Sequence, residues 1–408
     1  MKDKKFIPGI DWVWYAPNTT DAFDEKEIKA VETALRKGWL TVGDITTEFE
    51  NKISDIFGKN FGLFVNSGSS ANLLALKALK FPRGSEIITP ACNFNTTVAP
   101  IIQTGLVPVF VDVKLRMYTV DVNQLKEAVS DKTVAVMAPH LLGNFIEVEK
   151  IRDFCDKHHL VFIEDSCDTI GGKINGNPSG KWSDVTTTSF YASHVITSGG
   201  AGGMLMTSNE KLREQARLFR DWGRGIPAEE NDIDSRLSSF EIEGEPYDSA
   251  FVFVEQGYNF RPTEMQAAFG LKQLERLDEF MEKRKNNFDK INKFLSSFRN
   301  YFILPESIPN SEVNWLAYPI TIKENSPINR NKLVRYLEHN KIQTRPLFSG
   351  NILKHPAYKN INHRQVGNLK NSNLILRNSF LLGLHHGMTN EMLQYVFENI
   401  ENYLKENG

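Results

Sequence analysis

Short apolar runs alternate with amphipathic stretches over the first half of the chain. The runs are Phe61–Val65, Glu86–Thr89, Val107–Val113, Val134–Pro139, Leu160–Asp165, Thr186–Tyr191 and Gly202–Thr207. Several are apolar throughout, which predicts strands buried on both faces. Between most of them, Ser69–Leu79, Val122–Val129 and Val148–Lys157 place apolar residues at helical spacing. This rhythm predicts an α/β domain with a mostly parallel sheet. In such sheets ligands gather at the carboxyl ends of the strands.

Two segments leave the rhythm. From Trp222 to Asn259 the chain is polar and acidic without a clear period, and loops of that length are usually functional or mobile. From Thr263 to about Phe298 a long helical pattern rich in Glu, Lys, Leu and Phe is crossed only by Gly270. It predicts a bridge into a second unit, where Trp315–Ile322 reads as a strand and Asn331–His339 and Asn390–Leu404 as helices. The expected organisation is an N-terminal arm (1–25), a large domain (26–280) with an inserted loop (225–257), and a smaller C-terminal α+β domain (281–408).

Composition narrows the function classes. The formal net charge is −2, so bulk electrostatics suggest no nucleic-acid partner. No apolar run is long enough to cross a membrane, and no apolar core follows the basic N-terminal residues as it would in a secretory signal. The three cysteines, Cys92, Cys155 and Cys167, form no CxxC pair. That argues for a cytoplasmic protein without a disulfide scaffold, and against a four-cysteine metal or iron–sulfur site.

Several strand ends carry candidate chemistry. The turn Asn66-Ser67-Gly68-Ser69-Ser70-Ala71-Asn72 follows a predicted strand and opens a helix. It suits an anion held by helix N–H groups, and equally an ordinary capped turn. The run 160–163 ends in Glu164-Asp165-Ser166-Cys167-Asp168, where an acid could face a ligand or simply cap a loop. Phe94 follows another strand and could stack on a flat cofactor or pack in the core. His140, at a further strand end, is a candidate substrate or cofactor contact, or equally a structural histidine. The pair His385-His386 is too isolated for a metal site and is expected at a surface or interface.

Together with Gly38-Trp39-Leu40-Thr41-Val42-Gly43, Ser189–Gly203, Arg220-Asp221-Trp222-Gly223-Arg224 and the segment from Gly257 to Ala268, these pieces resemble the DegT/DnrJ/StrS family of nucleotide-sugar enzymes that use pyridoxal phosphate (PLP). The resemblance implies a fold-type-I aminotransferase architecture and a homodimer with a shared active site. It makes Gly68, Ser69 and Ser189 phosphate ligands and Asn259 a phosphate contact given to the neighbouring subunit. It makes Asp165 the partner of the pyridine nitrogen and Phe94 the ring-stacking residue.

Where the family's aminotransferases hold the lysine that bonds covalently to PLP, this chain has His194, 29 residues after Asp165. Histidine lacks the primary amine for that bond but moves protons near neutral pH. It resembles the family's histidine branch, the NDP-4-keto-6-deoxyhexose 3-dehydratases, which use the pyridoxamine form (PMP). The wording is nearest to iron–sulfur members of that branch, which hold a cluster on one cysteine at the Cys167 position and three in the inserted loop. Here the loop has no cysteine. That favours the cluster-free members, which regenerate PMP from glutamate, and argues against a reductase partner.

The expected function is therefore PMP-dependent removal of the 3-hydroxyl of a CDP- or GDP-linked 4-keto-6-deoxyhexose in deoxysugar or O-antigen synthesis, with His194 as proton shuttle. Arg345 is a candidate for the nucleotide or the amino donor's carboxylate, against a surface ion pair. Two other functions fit the same residues: an aminotransferase with a non-covalent cofactor, and an inert PLP-binding partner protein.

Overall fold

A computed structural model describes residues 6–17, 22–225, 233–238 and 240–408. Seven strands make the central sheet: β1 (Phe61–Val65), β2 (Glu86–Pro90), β3 (Val107–Val111), β4 (Thr133–Pro139), β5 (Val161–Asp165), β6 (Val185–Ser189) and β7 (Gly203–Thr207). Their order is β1-β7-β6-β5-β4-β2-β3, and a two-residue strand, Arg364–Gln365, extends the β3 edge. Only β7 runs antiparallel to its neighbours; the rest of the sheet is parallel. Separate apolar clusters cover its faces, one built on the Gly68–Leu79 helix and another on the Val148–His158 helix. The apolar runs are therefore strands buried on both sides, as their composition requires.

Helices at Glu25–Lys37, Asp44–Phe57, Asn95–Gln103 and Glu210–Arg220 add to those the pattern predicts. The first carries a capping box between Asp24 and Glu27. Val122–Val129 is shorter in helix than expected: a 3-10 turn at Val122–Gln124 leads into four helical residues, Leu125–Ala128. The long bridge is two helices, Glu264–Leu274 and Leu277–Leu295. Arg276 leaves helical geometry at the break (φ −113°, ψ 5°), with its guanidinium toward Asp24, Glu27 and Glu279. Gly270 sits inside the first of the two because a Cβ there would lie 2.6 Å from the Phe49 ring.

The second bridge helix joins two cores. Phe280 packs with the Asp44–Phe57 side of the large sheet, whereas Ile291 and Leu295 pack into the C-terminal core. That core backs a four-stranded antiparallel sheet, ordered Phe302–Ile303, Tyr318–Ile322, Ser379–Leu382, Thr344–Arg345. Between residues 225 and 257, the described residues form a short helix (Ile233–Ser238), a hairpin (Glu241–Ile242 with Glu245–Pro246) and a 3-10 turn (Ser249–Phe251). No helix among the described residues is long and apolar enough to cross a membrane.

Candidate active site

The carboxyl ends of β4, β5 and β6 and the N-terminus of the Gly68–Leu79 helix enclose a cavity of about 330 Å³. Gly68, Ser69, Phe94, Asp165, Ser189 and His194 all line it. Asp168, Tyr191 and Phe348 complete much of the wall.

One end is built for an anion. Ser67 caps the helix by accepting from the Ser70 N–H at 3.1 Å. The N–H groups of Gly68 and Ser69 belong to the first turn, ahead of the helical hydrogen-bond ladder, and the helix dipole adds positive potential there. A Cβ on Gly68 would lie 2.6 Å from Ser189 Cβ and 2.9 Å from Cys167 Sγ. Only glycine lets the helix end, β6 and the loop after β5 converge this closely.

Asp165 is fixed from three sides. Its Oδ2 accepts from Asn72 Nδ2 at 2.8 Å and from Thr97 Oγ1 at 2.6 Å, and its Oδ1 accepts from the Cys167 N–H at 3.1 Å. Asn72 is itself oriented, because its Oδ1 accepts from Thr187 Oγ1 at 2.6 Å. Three donors fix the direction of this carboxyl group. Phe94, 51% exposed, lines the same cavity and meets Phe348 edge-on at 5.9 Å.

His194 is half-buried. Its Nδ1 lies 3.2 Å from the carbonyl oxygen of Ser189. A carbonyl only accepts, so Nδ1 carries the hydrogen and Nε2 keeps the lone pair. Burial, helped by the Arg284 charge, pulls the imidazole down to about 4, against the Ser189 carbonyl and Asp165. At neutral pH the ring is an uncharged base. Asp168 shifts the other way: burial pushes its carboxyl up to about 7, Asp165 adds to the rise, and the Leu142 N–H opposes it at 2.9 Å.

The remaining candidates lie elsewhere. His140 is fully buried outside the cavity, with Nε2 3.0 Å from Glu164 Oε1 and Nδ1 accepting from the Ile146 N–H. Burial alone would raise the Glu164 carboxyl, but His140, Ser166 and Ser179 hold it down to about 2. The pair braces β4 against β5 and has no open face for a substrate. Asn259 is exposed on the surface of the chain, where its backbone bridges Asp221.

Arg345 is exposed and lines an adjoining chamber, with its guanidinium 5.7 Å from the Tyr15 ring. His385 and His386 are not at the surface. Both are buried: His386 stacks on Phe280 at 3.8 Å, and His385 Nε2 lies 3.2 Å from the Trp14 carbonyl. Cys92 and Cys155 lie in different apolar cores, and Cys167 alone reaches the cavity. Asn72 and Asp168 stand inside sequence motifs and Thr97 stands outside them; that all three meet Asp165 or the cavity is visible only in the fold.

An anion-binding helix end, a fixed carboxylate and an exposed aromatic ring in one cavity fit the phosphate, the ring nitrogen and the flat face of PLP. Fold and site together define a PLP-dependent enzyme of fold type I. The chain belongs to the DegT/DnrJ/EryC1/StrS aminotransferase family, whose model matches residues 21–401. It is 39% identical to the lipopolysaccharide biosynthesis protein RfbH of Salmonella typhimurium, over 99% of this chain and 94% of that one. It is 36% identical to dTDP-4-dehydro-2,6-dideoxy-D-glucose 3-dehydratase of Saccharopolyspora spinosa, over 94% and 85%. Among solved structures it is similar to GDP-4-keto-6-deoxymannose-3-dehydratase with a trapped PLP–glutamate geminal diamine, at a TM-score of 0.84 and 29% identity, over 95% of this chain and 99% of that one.

Proposed function

We propose that the protein removes the 3-hydroxyl of an NDP-4-keto-6-deoxyhexose, without an iron–sulfur cluster, and returns its cofactor to the amine form with glutamate. The observation that carries this is His194, a neutral base at the position where the family's aminotransferases use lysine. When bound, the amine form of the cofactor supplies a primary amine for the sugar's keto carbon and a ring that accepts the electrons of a broken C–H bond.

The chain's own residues do the rest. Gly68, Ser69 and Ser189 bind the phosphate, and Asn259 of each protomer contacts the phosphate in the other. Asp165, locked by Asn72, Thr97 and the Cys167 N–H, holds a proton on the ring nitrogen. His194 takes a proton at Nε2 while its Nδ1–H stays on the Ser189 carbonyl. The same Nε2–H then protonates the departing hydroxyl, so one imidazole serves as base and acid. Arg345 presents a fork of N–H donors to an anionic group of the nucleotide or the amino donor.

The net reaction balances as keto sugar plus glutamate giving 3-deoxy keto sugar, 2-oxoglutarate and ammonia. The test is mass spectrometry of products from CDP-, GDP- and dTDP-4-keto-6-deoxyhexoses with PLP and glutamate. A product one oxygen lighter than its substrate is expected. A stable amino sugar instead defeats the proposal, and no turnover of any of them points to an inert PLP-binding protein.

A further inference from the structure

The N-terminal arm is strapped onto the small domain. The Val13 N–H donates to the Lys341 carbonyl at 2.8 Å, and the Gln343 N–H donates to the Val13 carbonyl at 2.9 Å. Two residues on, the Tyr15 N–H donates to Gln343 Oε1 at 3.1 Å. The arm also crosses Gly383 so closely that a Cβ there would lie 2.5 Å from the Trp14 carbonyl oxygen and 3.0 Å from Tyr15 Cα. Backbone pairing on one side and a glycine saddle on the other fix where Tyr15 sits.

That place is the wall of a second chamber of about 660 Å³, which shares Phe94, Asp168, Tyr191, His194 and Phe348 with the cofactor cavity. Much of its wall is apolar, including Leu316, Leu381 and Pro346. A sugar bound against such walls is oriented by a few placed polar groups. Tyr15 is half-buried, and among the described residues its hydroxyl makes no hydrogen bond. Burial pushes the phenol's pKa up, Asp168 adds to the rise, and Arg284 and Arg345 oppose it. The group is therefore a neutral donor across the physiological range.

We propose that Tyr15 is a sugar-binding residue, whose hydroxyl donates to an oxygen of the hexose held beside His194, and that the strapped arm is thereby part of the active site. The assignment rests on the nucleotide-sugar function above. Tyr15→Phe removes the donor and keeps the ring. In the full-length protein with PLP, glutamate and the nucleotide sugar that the wild type turns over, KM for the sugar should rise about threefold to tenfold, as for one neutral hydrogen bond, with kcat changing less than about twofold.

The glutamate half-reaction, followed by cofactor absorbance without sugar, should be unchanged. Gln343→Leu, which frees the arm at Tyr15, should also raise KM. An unchanged KM in Tyr15→Phe overturns the assignment. So does an equal loss in the glutamate half-reaction, because a general structural defect would cause it. A wild type that turns over no nucleotide sugar refutes the proposed function itself, and this assignment with it.

Discussion

Replacing Gly68 by alanine separates local folding preference from cofactor binding. Gly68 opens the helix with no positive φ, so alanine meets no backbone strain there. Helix propensity favours alanine by at most about 1 kcal/mol. Against this, the new methyl would lie 2.6 Å from Ser189 Cβ and 2.9 Å from Cys167 Sγ, inside van der Waals contact. Overpacking of this kind costs about 1–3 kcal/mol. The two effects nearly offset in the apoprotein, so its melting temperature should move by only a few degrees.

The methyl, however, would occupy the point where the helix end, Ser189 and Cys167 converge, the proposed phosphate cradle. If the side chains give way there, the cradle opens, and about 1.4–2.8 kcal/mol of lost binding corresponds to a tenfold to hundredfold weaker PLP affinity. Equilibrium dialysis against PLP, with thermal melts of the same apoprotein samples, reads both quantities. Wild-type PLP affinity in Gly68→Ala would refute the placement of the phosphate. A collapse of the apoprotein would instead refute the offset between packing cost and helix propensity.

Four further predictions concern other residues of the cavity. His194 should impose an acid-side loss of stability: its folded value near 4 lies below its ordinary 6.5, so the unfolded chain binds the extra proton and stability falls as pH drops through that window. Asp168 acts in the opposite sense: its folded value near 7 lies above the ordinary 3.8, so its contribution is present at low pH and lost as pH rises toward 7. Melts across pH should show a flatter acid side in His194→Asn and a smaller decline between pH 4 and 7 in Asp168→Asn; profiles matching wild type would contradict these environments.

Thr97→Val deletes the 2.6 Å donor to Asp165. The loss of a hydrogen bond to a charged group, about 1.5–3 kcal/mol, should lower kcat at least about tenfold in steady-state assays. His194→Lys supplies the missing amine, so borohydride should trap cofactor on the protein and dehydration should fall; unimpaired dehydration would remove His194 from its assigned role.

Much of the central sheet was legible because strands buried on both faces leave continuous apolar runs. The helices at Glu25–Lys37 and Glu210–Arg220 were not read, since they are rich in charge and bury few residues. The long bridge looked unbroken because Glu275 and Arg276 are ordinary helix formers, and the turn at Arg276 comes with ion pairs to Asp24 and Glu27, distant in sequence. At the site, motif residues showed where the chemistry lies, but not its supports. Thr97, on the Asn95–Gln103 helix, acts on Asp165 directly, and Thr187, on β6, acts through Asn72. His140 lies at a strand end like the cavity residues, yet its ring turns inward to Glu164. His385 and His386 read as a surface or interface pair, although contacts with the arm and with Phe280 bury them.

The central claim is cluster-free dehydration with the nitrogen released rather than retained on the sugar. Its most direct test is the ratio of ammonia to 3-deoxy keto sugar formed by the purified protein with PLP, glutamate and an accepted nucleotide sugar, with no reductase added. Equal amounts of the two products are predicted, sustained over many turnovers. Accumulation of an amino sugar without ammonia, or a dehydration that proceeds only when a reductase is supplied, would contradict it.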